Sequence, residues 1–220
     1  VAAFEAAISE MFEYGRDMLH KRRRDPQADL MSAIARAQVD GELLSDEYLD
    51  GSWLLIVFAG NDTTRNTISG AMKLLTDFPE QKQKLIADPG LMPNAVNEII
   101  RMISPVTYMR RTATRKMVIA EQEIAEGEKV ILYFGAANRD PAVFADPDAF
   151  DVARANADKH LAFGYGPHTC IGKRVAQLQL EAVWRQLLAR FPDIHQAGPI
   201  KVAPNNFVYA IQSMPVAFAA

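Results

Sequence analysis

The chain has 220 residues, of which 49% are hydrophobic and 23% charged, and this composition is ordinary for a globular protein. A net charge of −3 gives no electrostatic reason to expect a nucleic acid as partner. The longest apolar run, at 53–59, is too short to cross a bilayer, and the one cysteine, Cys170, excludes an internal disulfide and is typical of a reducing cytosol. We therefore expect a soluble cytoplasmic protein without a membrane span.

The first half of the chain carries the hydrophobic periodicity of helices. Apolar residues recur every three or four positions, which predicts helices at 3–23, 28–38, 45–77, 79–87 and 93–103. A turn is predicted at Asp40-Gly41. The third helix begins at Ser45, a favourable N-cap, and ends before Phe78-Pro79, so at about 1.5 Å per residue it is roughly 48 Å long. Its centre at 53–59 is apolar on every side, which predicts burial all round.

The second half of the chain has a different texture. Two β-prone runs at 117–120 and 129–133, separated by Glu126-Gly127, predict a hairpin. Residues 138–160 are rich in Asp, Pro and Ala, which predicts an ordered loop. A helical pattern returns at 172–191, and short strands are expected after it. The predicted fold class is therefore mainly α with a minor β part.

A glycine-rich stretch, Phe163-Gly-Tyr-Gly-Pro-His-Thr-Cys-Ile-Gly172, directly precedes the last predicted helix. A lone cysteine in a cytosolic protein is most often a buried small hydrophobe, but the glycines here allow tight turns and the close approach of a flat ligand. Cys170 also lies just before a helix N-terminus, where free N–H groups and the helix dipole favour a thiolate. The stretch therefore predicts a cysteine that is held as a thiolate.

This stretch matches the pattern Phe-Gly-x-Gly-x-His-x-Cys-x-Gly and so resembles the haem-binding loop of the cytochrome P-450 family. The resemblance implies the C-terminal portion of the cytochrome P-450 fold, with haem b (iron-protoporphyrin IX) as cofactor. It makes Cys170 the metal ligand, lets His168 hydrogen-bond a haem propionate and places Phe163 near the sulfur. Gly164 and Gly172 complete the cofactor-binding residues of the loop. A thiolate ligand pushes electron density onto the iron and favours O–O cleavage.

A second motif, Ala59-Gly-Asn-Asp-Thr-Thr64, lies in the middle of the longest predicted helix. Its glycine, asparagine, aspartate and two threonines are poor helix formers, and a threonine hydroxyl that bonds the carbonyl one turn back bends a helix and opens a groove. The motif resembles the oxygen-binding motif of the family. The resemblance makes Asp62 and Thr63 the catalytic acid–alcohol pair: Thr63 holds the dioxygen and a water, and Asp62 feeds protons toward the distal oxygen. It also places Ala59 and Gly60 beside the cofactor.

A third element, Glu98-Ile-Ile-Arg101, falls between these two motifs, as it does in the family. Residues three apart share a helix face, and the resemblance makes Glu98 and Arg101 a structural ion pair that locks the core under the haem. The family commonly adds a third basic side chain, at a position where this chain has Ala149. We therefore expect that Arg139 or Arg154 substitutes for it, or that the triad is incomplete.

The resemblance also assigns a propionate ligand and a substrate pocket. Arg111 falls on the family's haem-propionate arginine, since a guanidinium suits a carboxylate in bidentate fashion, and Arg110 is the competing choice. By analogy, Leu55, Ala59 and Thr107 face the substrate.

The function that the resemblance implies is that of a haem-thiolate monooxygenase. Such an enzyme inserts one atom of O2 into a hydrophobic small molecule, here a terpenoid, an alkane or a sterol-like compound, with electrons from a ferredoxin and its reductase. Lys173 and Arg174, just past the cysteine loop, form a candidate basic patch for an acidic ferredoxin. We expect 1–220 to be one haem-binding domain that lacks its N-terminal half, because the chain starts at Val1 and family domains are nearly twice as long.

Two other interpretations stay open from the sequence. A cysteine hydrolase would use Cys170 as nucleophile and His160, His168 or His195 as base, but it leaves the second motif and Arg111 unexplained. The other is a non-catalytic fragment that merely binds haem or a protein.

Overall fold

The computed structural model describes residues 2–218, with only the backbone described for residues 2–4. Val1, Ala219 and Ala220, which the predicted domain of 1–220 includes, lie outside the described residues. The chain divides into two compact units, Val1–Asn61 and Asp62–Ala220. The division falls inside the longest helix, and that both units belong to one haem-binding domain stays a prediction.

The first unit consists of helices and one short hairpin. Its elements are α1 (Ala2–Arg24), α2 (Leu30–Ala35), β1 (Gln38–Val39), β2 (Glu42–Leu43) and the start of α3 (Asp46–Asp77). The predicted helix at 28–38 is too long at both ends. Asp29 caps α2 by accepting from the Ser32 N–H at 2.7 Å. At the other end, positive φ angles at Asp40 and Gly41, 52° and 86°, reverse the chain as predicted, so β1 pairs antiparallel with β2.

The apolar centre of α3 is buried on one side only. Trp53 packs against a cluster made by α1, α2 and α3, and its indole N–H donates to the Met11 carbonyl at 3.0 Å. Several neighbouring apolar side chains are exposed, namely Leu54, Leu55 and Phe58. The predicted burial on all sides is therefore wrong, because α1 and α2 provide a packing surface for one face of the helix alone.

The second unit holds the main core. Its helices are the rest of α3, α4 (Pro79–Ala87), α5 (Met92–Ile103), α6 (Phe134–Ala137) and α7 (Lys173–Arg190), with short 3-10 turns at Pro89–Leu91, Ala157–Lys159 and Gly166–His168. Trp184 of α7 and Ile99 of α5 are fully buried in one cluster with Leu75 of α3. This packing of three helices holds α7, the helix that follows the cysteine loop, in the core.

The strands of the second unit form two-stranded antiparallel sheets. The pairs are β3 (Tyr108–Thr112) with β6 (Lys129–Tyr133), β4 (Met117–Ile119) with β5 (Gln122–Ile124), β7 (His195–Gln196) with β10 (Val216–Ala217), and β8 (Lys201–Val202) with β9 (Ile211–Ser213). The predicted hairpin between 117–120 and 129–133 is therefore wrong. Ala120 and Glu121 take positive φ angles of 47° and 68°, so β4 turns back on β5 at once.

The fold class is confirmed, because helices dominate and the strands form only small sheets. Within residues 2–218, no helix combines the length and the apolar composition that crossing a bilayer requires.

Candidate active site

The loop before α7 is closed by its own backbone. The Cys170 N–H donates to the Phe163 carbonyl at 2.8 Å. Gly164 and Gly166 take positive φ angles of 71° and 68°, and a Cβ on Gly164 would come within 3.1 Å of the His168 carbonyl oxygen. The glycines thus let the loop fold back on itself and hold Cys170 in one place.

Cys170 lies at the surface directly ahead of a helix N-terminus. Its thiol is free and the residue is exposed, so it is not a buried core cysteine. The N-cap of α7 is Gly172, which has no side chain to satisfy the first N–H groups of the helix. The first N–H groups of α7 therefore lie directly after Cys170 with no capping side chain bonded to them.

Phe163 and His168 of the cysteine loop differ in burial. His168 is exposed, whereas Phe163 is partly buried and packs against the main core. The Nζ atom of Lys173 lies 5.6 Å from the centre of the Phe163 ring. Phe163 thus joins the cysteine loop to the folded interior, while His168 is free to contact a ligand.

Two buried polar side chains fix the backbone just upstream of the loop. The Asn138 side chain accepts from the Leu161 N–H at 2.6 Å. The Nδ1 atom of His160 accepts from the Ala162 N–H at 3.2 Å. The sequence indicates no role for Asn138, because the residues around an asparagine in an irregular segment do not show which distant residues it contacts.

His160 is unsuited to activate a thiol. Burial, together with the positive charge of Lys173, lowers its pKa from 6.5 to about 4. Its Nδ1 atom is engaged by backbone, and His195 bonds the carbonyl of Asp193 through its own Nδ1. In residues 2–218 the structure shows no hydrogen bond between the Cys170 sulfur and a histidine, so the hydrolase interpretation has no geometric support.

Glu98 and Arg101 form a fully buried ion pair on α5. Arg101 donates from Nε and Nη2 to the two carboxylate oxygens, at 2.7 and 2.8 Å. Arg154 adds a third contact, from Nε to Oε1 at 3.0 Å. Arg139 instead bonds Asp148 at 3.1 Å. Of the alternatives that the sequence left open, the structure thus selects Arg154 as the third basic residue.

The guanidinium groups of this triad also bind the irregular segment 138–160, which we call the meander. Arg101 donates to the carbonyls of Asn138 and Pro147 at 2.8 and 2.7 Å, and Arg154 donates to those of Ala145 and Ala149 at 2.6 and 2.8 Å. Glu98, Arg101 and Arg154 therefore serve as a buried structural centre for the segment that leads to the cysteine loop.

The second motif lies in the middle of α3, across the division between the units. Asp62 pairs with Arg65 at 2.9 Å and is partly exposed. The carbonyls of Asp62 and Thr63 accept side-chain hydrogen bonds from Asn66 and Thr67, at 2.8 and 2.7 Å. Side-chain bonds to the carbonyl one turn back bend helices. These two donors, Asn66 and Thr67, lie one turn after the predicted catalytic pair.

The remaining predicted residues lie on other elements. Arg110 and Arg111 are both exposed and neighbours on β3, so their side chains leave opposite faces of the strand. Arg111 bonds only the Arg110 carbonyl, at 3.0 Å, within the described residues. Thr107 donates its hydroxyl to the Asn206 and Phe207 carbonyls. Leu55 is 66% exposed, and Ala59 and Gly60 are exposed in the first unit.

Comparison with known proteins decides the family. The family model described as "Cytochrome P450" matches residues 1–211. The chain belongs to the cytochrome P-450 family. It is 40% identical to the steroid C26-monooxygenase of Mycolicibacterium smegmatis, over 97% of this chain and 55% of that protein. It is 34% identical to cytochrome P450-terp of a Pseudomonas species, over 98% of this chain and 50% of that protein.

A solved structure agrees with these relatives. The fold is similar to that of a Mycobacterium marinum cytochrome P-450 in complex with pseudoionone, with a TM-score of 0.90 and 40% identity over 96% of this chain and 51% of that one. The chain thus spans about half the length of the cytochromes P-450 that it matches.

The residues present fit haem b, the cofactor of the cytochrome P-450 family. A thiolate-ligated haem needs an accessible sulfur and basic groups for its propionates. The exposed Cys170 would supply the sulfur, and it lies directly before the N-terminus of α7, which has no capping side chain. His168 and Arg111 are exposed donors that suit carboxylates. The donor chemistry is therefore that of a haem-thiolate site.

Proposed function

We propose that the protein containing this chain is a haem-thiolate monooxygenase that hydroxylates a hydrophobic small molecule. The observation that carries the proposal is the exposed Cys170, held by a glycine loop ahead of α7 in a member of the cytochrome P-450 family. Bound haem supplies the activation of dioxygen, and its thiolate ligand favours O–O cleavage. The residues of this chain supply the ligand, the groups that hold the haem and a path for protons.

Cofactor binding would involve the cysteine loop and strand β3. Cys170 would bind the iron as a thiolate, and His168 and Arg111 would bind the propionates. Gly164 and Gly172 would let the backbone approach the ring closely. Phe163, which packs against the core, anchors the start of the loop.

Proton supply involves the second motif. The Asp62 carboxylate is partly exposed and paired with Arg65, so it is placed to exchange protons with solvent. Thr63 is the next residue along α3, and its hydroxyl is a suitable hydrogen-bond donor to dioxygen or a water. Asp62 and Thr63 would together deliver protons to the reacting oxygen.

An apolar substrate is supported by the relatives and by the residues that would line the pocket. One relative described above is named steroid C26-monooxygenase and another is named cytochrome P450-terp. The similar solved structure is a complex with pseudoionone. Leu55 and Ala59 are exposed small or apolar side chains, which suit an apolar substrate. The substrate contact predicted for Thr107 is part of the same proposal. We infer that the whole protein takes a sterol-like, terpenoid or alkane substrate.

A ferredoxin is the proposed electron donor. Lys173 and Arg174 follow the cysteine loop, and the Arg174 side chain is largely exposed although it lies 4.0 Å from Glu181. Exposed basic groups beside the cofactor ligand suit an acidic redox partner. The cytoplasmic location, expected from the single cysteine, also stays a prediction.

Isotope transfer tests the proposed activity directly. The full-length, haem-loaded protein is supplied with a reductase and ferredoxin, a steroid or terpenoid substrate, and dioxygen labelled with heavy oxygen. We expect one labelled oxygen atom in each product molecule. Turnover without label in the product, or no oxidation of any apolar substrate by a protein that is reduced normally, would contradict the proposal.

A further inference from the structure

Asn66 is a fully buried amide on α3, one helical turn after Asp62. Its Nδ2 group donates to the Asp62 carbonyl at 2.8 Å, and its Oδ1 atom accepts from the Ile211 N–H, also at 2.8 Å. The side chain thus connects the backbone of the acid–alcohol segment to strand β9, although Ile211 is 145 residues away in the sequence. A buried amide that loses such partners is costly, so the connection is firm.

The segment that leads into β9 is bonded to the loop of Thr107. The Thr107 N–H donates to the Phe207 carbonyl at 2.9 Å, and the Tyr209 N–H donates to the Pro105 carbonyl at 2.9 Å. The Thr107 hydroxyl also bonds the Phe207 carbonyl, at 2.9 Å. The predicted substrate-facing loop therefore reaches Asn66 through one short, hydrogen-bonded stretch of chain.

We propose that Asn66 is a positioning residue that links the Thr107 loop to the backbone of Asp62. The inference rests on the proposed function and adds to it a physical link between the substrate pocket and the proton path. Asn66 touches neither substrate nor haem in this account. It acts by fixing the Asp62 carbonyl, and with it the Thr63 hydroxyl, because small misplacements of a reacting group lower catalytic efficiency strongly.

The same helix contains a matched control. Thr76 donates its hydroxyl to the Met72 carbonyl at 2.9 Å and accepts from the Gln196 N–H at 2.9 Å. It therefore ties α3 to β7 as Asn66 ties α3 to β9, but more than two turns further along the helix. If Asn66 only stabilised the fold, removal of the Asn66 connection and removal of the Thr76 connection would change the coupling of electron use to product formation in the same way.

The experiment compares three variants of the full-length, haem-loaded protein. Asn66→Val removes both hydrogen bonds. Asn66→Thr has the shape of the valine variant but supplies a hydroxyl that can form hydrogen bonds. Thr76→Val removes the control connection. The ratio of peroxide released to product formed is measured, together with hydrogen exchange at the Ile211 amide. We expect Asn66→Val to raise the ratio about five-fold, the effect of one buried hydrogen bond of ordinary strength. We expect faster exchange at Ile211 in that variant.

The other two variants decide between positioning and stability. Asn66→Thr should recover most of the coupling, and Thr76→Val should leave the ratio unchanged even where it lowers the melting temperature. An unchanged ratio in Asn66→Val, or an equal rise in Thr76→Val, overturns the proposal. Should Asn66→Val fail to fold, Asn66→Ala replaces it with the same expected direction. Failure of the proposed function is distinguishable, because the unsubstituted protein would then form no product at all.

Discussion

The imidazole of His160 is neutral in the folded protein, because burial lowers its pKa to about 4, whereas its ordinary pKa is 6.5. Between these values only the unfolded chain takes up a proton at this site. The free energy of unfolding therefore falls as the pH drops from 6.5 to 4, and His160 has no such effect at higher pH. Because one pKa unit corresponds to about 1.4 kcal/mol, we expect a loss of up to about 3 kcal/mol.

Urea unfolding at about pH 7 and about pH 5 tests this prediction. His160→Asn keeps an acceptor for the Ala162 N–H and removes the titration. Lys173 and Arg101 oppose a charged imidazole and Asp158 favours it, and all three stay in place in the variant. The unsubstituted protein should lose more stability at the lower pH than His160→Asn does. Parallel losses in the two proteins would show that His160 is not the group responsible.

Thr63 is the residue whose hydroxyl we expect to hold dioxygen or its water. Thr63→Ala should therefore divert electrons from product to peroxide while haem binding is retained, since the alanine methyl donates no hydrogen bond. Thr64→Ala is the matched control, because Thr64 is the adjacent threonine of the motif and is also partly buried. Peroxide and product are quantified per electron consumed. Full coupling in Thr63→Ala, or equal uncoupling in both variants, would remove Thr63 from the mechanism.

At the scale of elements, α5 and the meander are joined by Glu98, Arg101 and Arg154. Arg154→Met should destabilise the fold by about 3–5 kcal/mol, because it leaves the buried Glu98 carboxylate short of a partner and frees several carbonyls. Arg139→Met should cost about 2 kcal/mol or less, since its ion-pair partner Asp148 is largely exposed and a further bond, to the Met102 carbonyl at 2.9 Å, is lost. Thermal and urea unfolding measure both. Similar losses in the two variants would contradict the assignment of Arg154 as the third basic residue.

Local sequence patterns predict the pairing of the strands least well. The hairpin of β4 and β5 turns at Ala120 and Glu121, two residue types that seldom take positive φ, so the turn carried no recognisable signal. Gly127 takes a φ of 83° as glycine readily does, but it leads into β6, which pairs with the earlier β3. Pairing between distant strands depends on the whole fold, and local patterns cannot specify it.

The site residues also fall into those that a local sequence pattern predicts and those that depend on distant partners. The glycine loop around Cys170 was predicted because its turns and its position before a helix are properties of ten consecutive residues. Asn66 and Asn138 had no assigned role, because their partners include Ile211 and Leu161, which are far away in the chain. Arg154 was one of two candidates until the structure placed its Nε atom 3.0 Å from Glu98.

For the whole molecule, the basic residues after the cysteine loop should govern contact with the electron donor. Replacement of both Lys173 and Arg174 by glutamate should slow reduction by an acidic ferredoxin at least ten-fold at low salt, and high salt should shrink the difference. Lys201→Glu, at an exposed lysine of β8, is the control for a charge reversal away from the cysteine loop. Stopped-flow reduction rates measure the effect. Equal rates in the unsubstituted protein and the double variant would place the docking surface elsewhere.

The absorption spectrum of the reduced, carbon monoxide-bound full-length protein reports directly on the proposed ligation of haem iron by the Cys170 thiolate. We expect the strongly red-shifted Soret band of a thiolate-ligated haem in the unsubstituted protein and its loss in Cys170→Ala. A protein that purifies colourless after ample haem supply, or a band that persists unchanged in Cys170→Ala, would rule out this ligation.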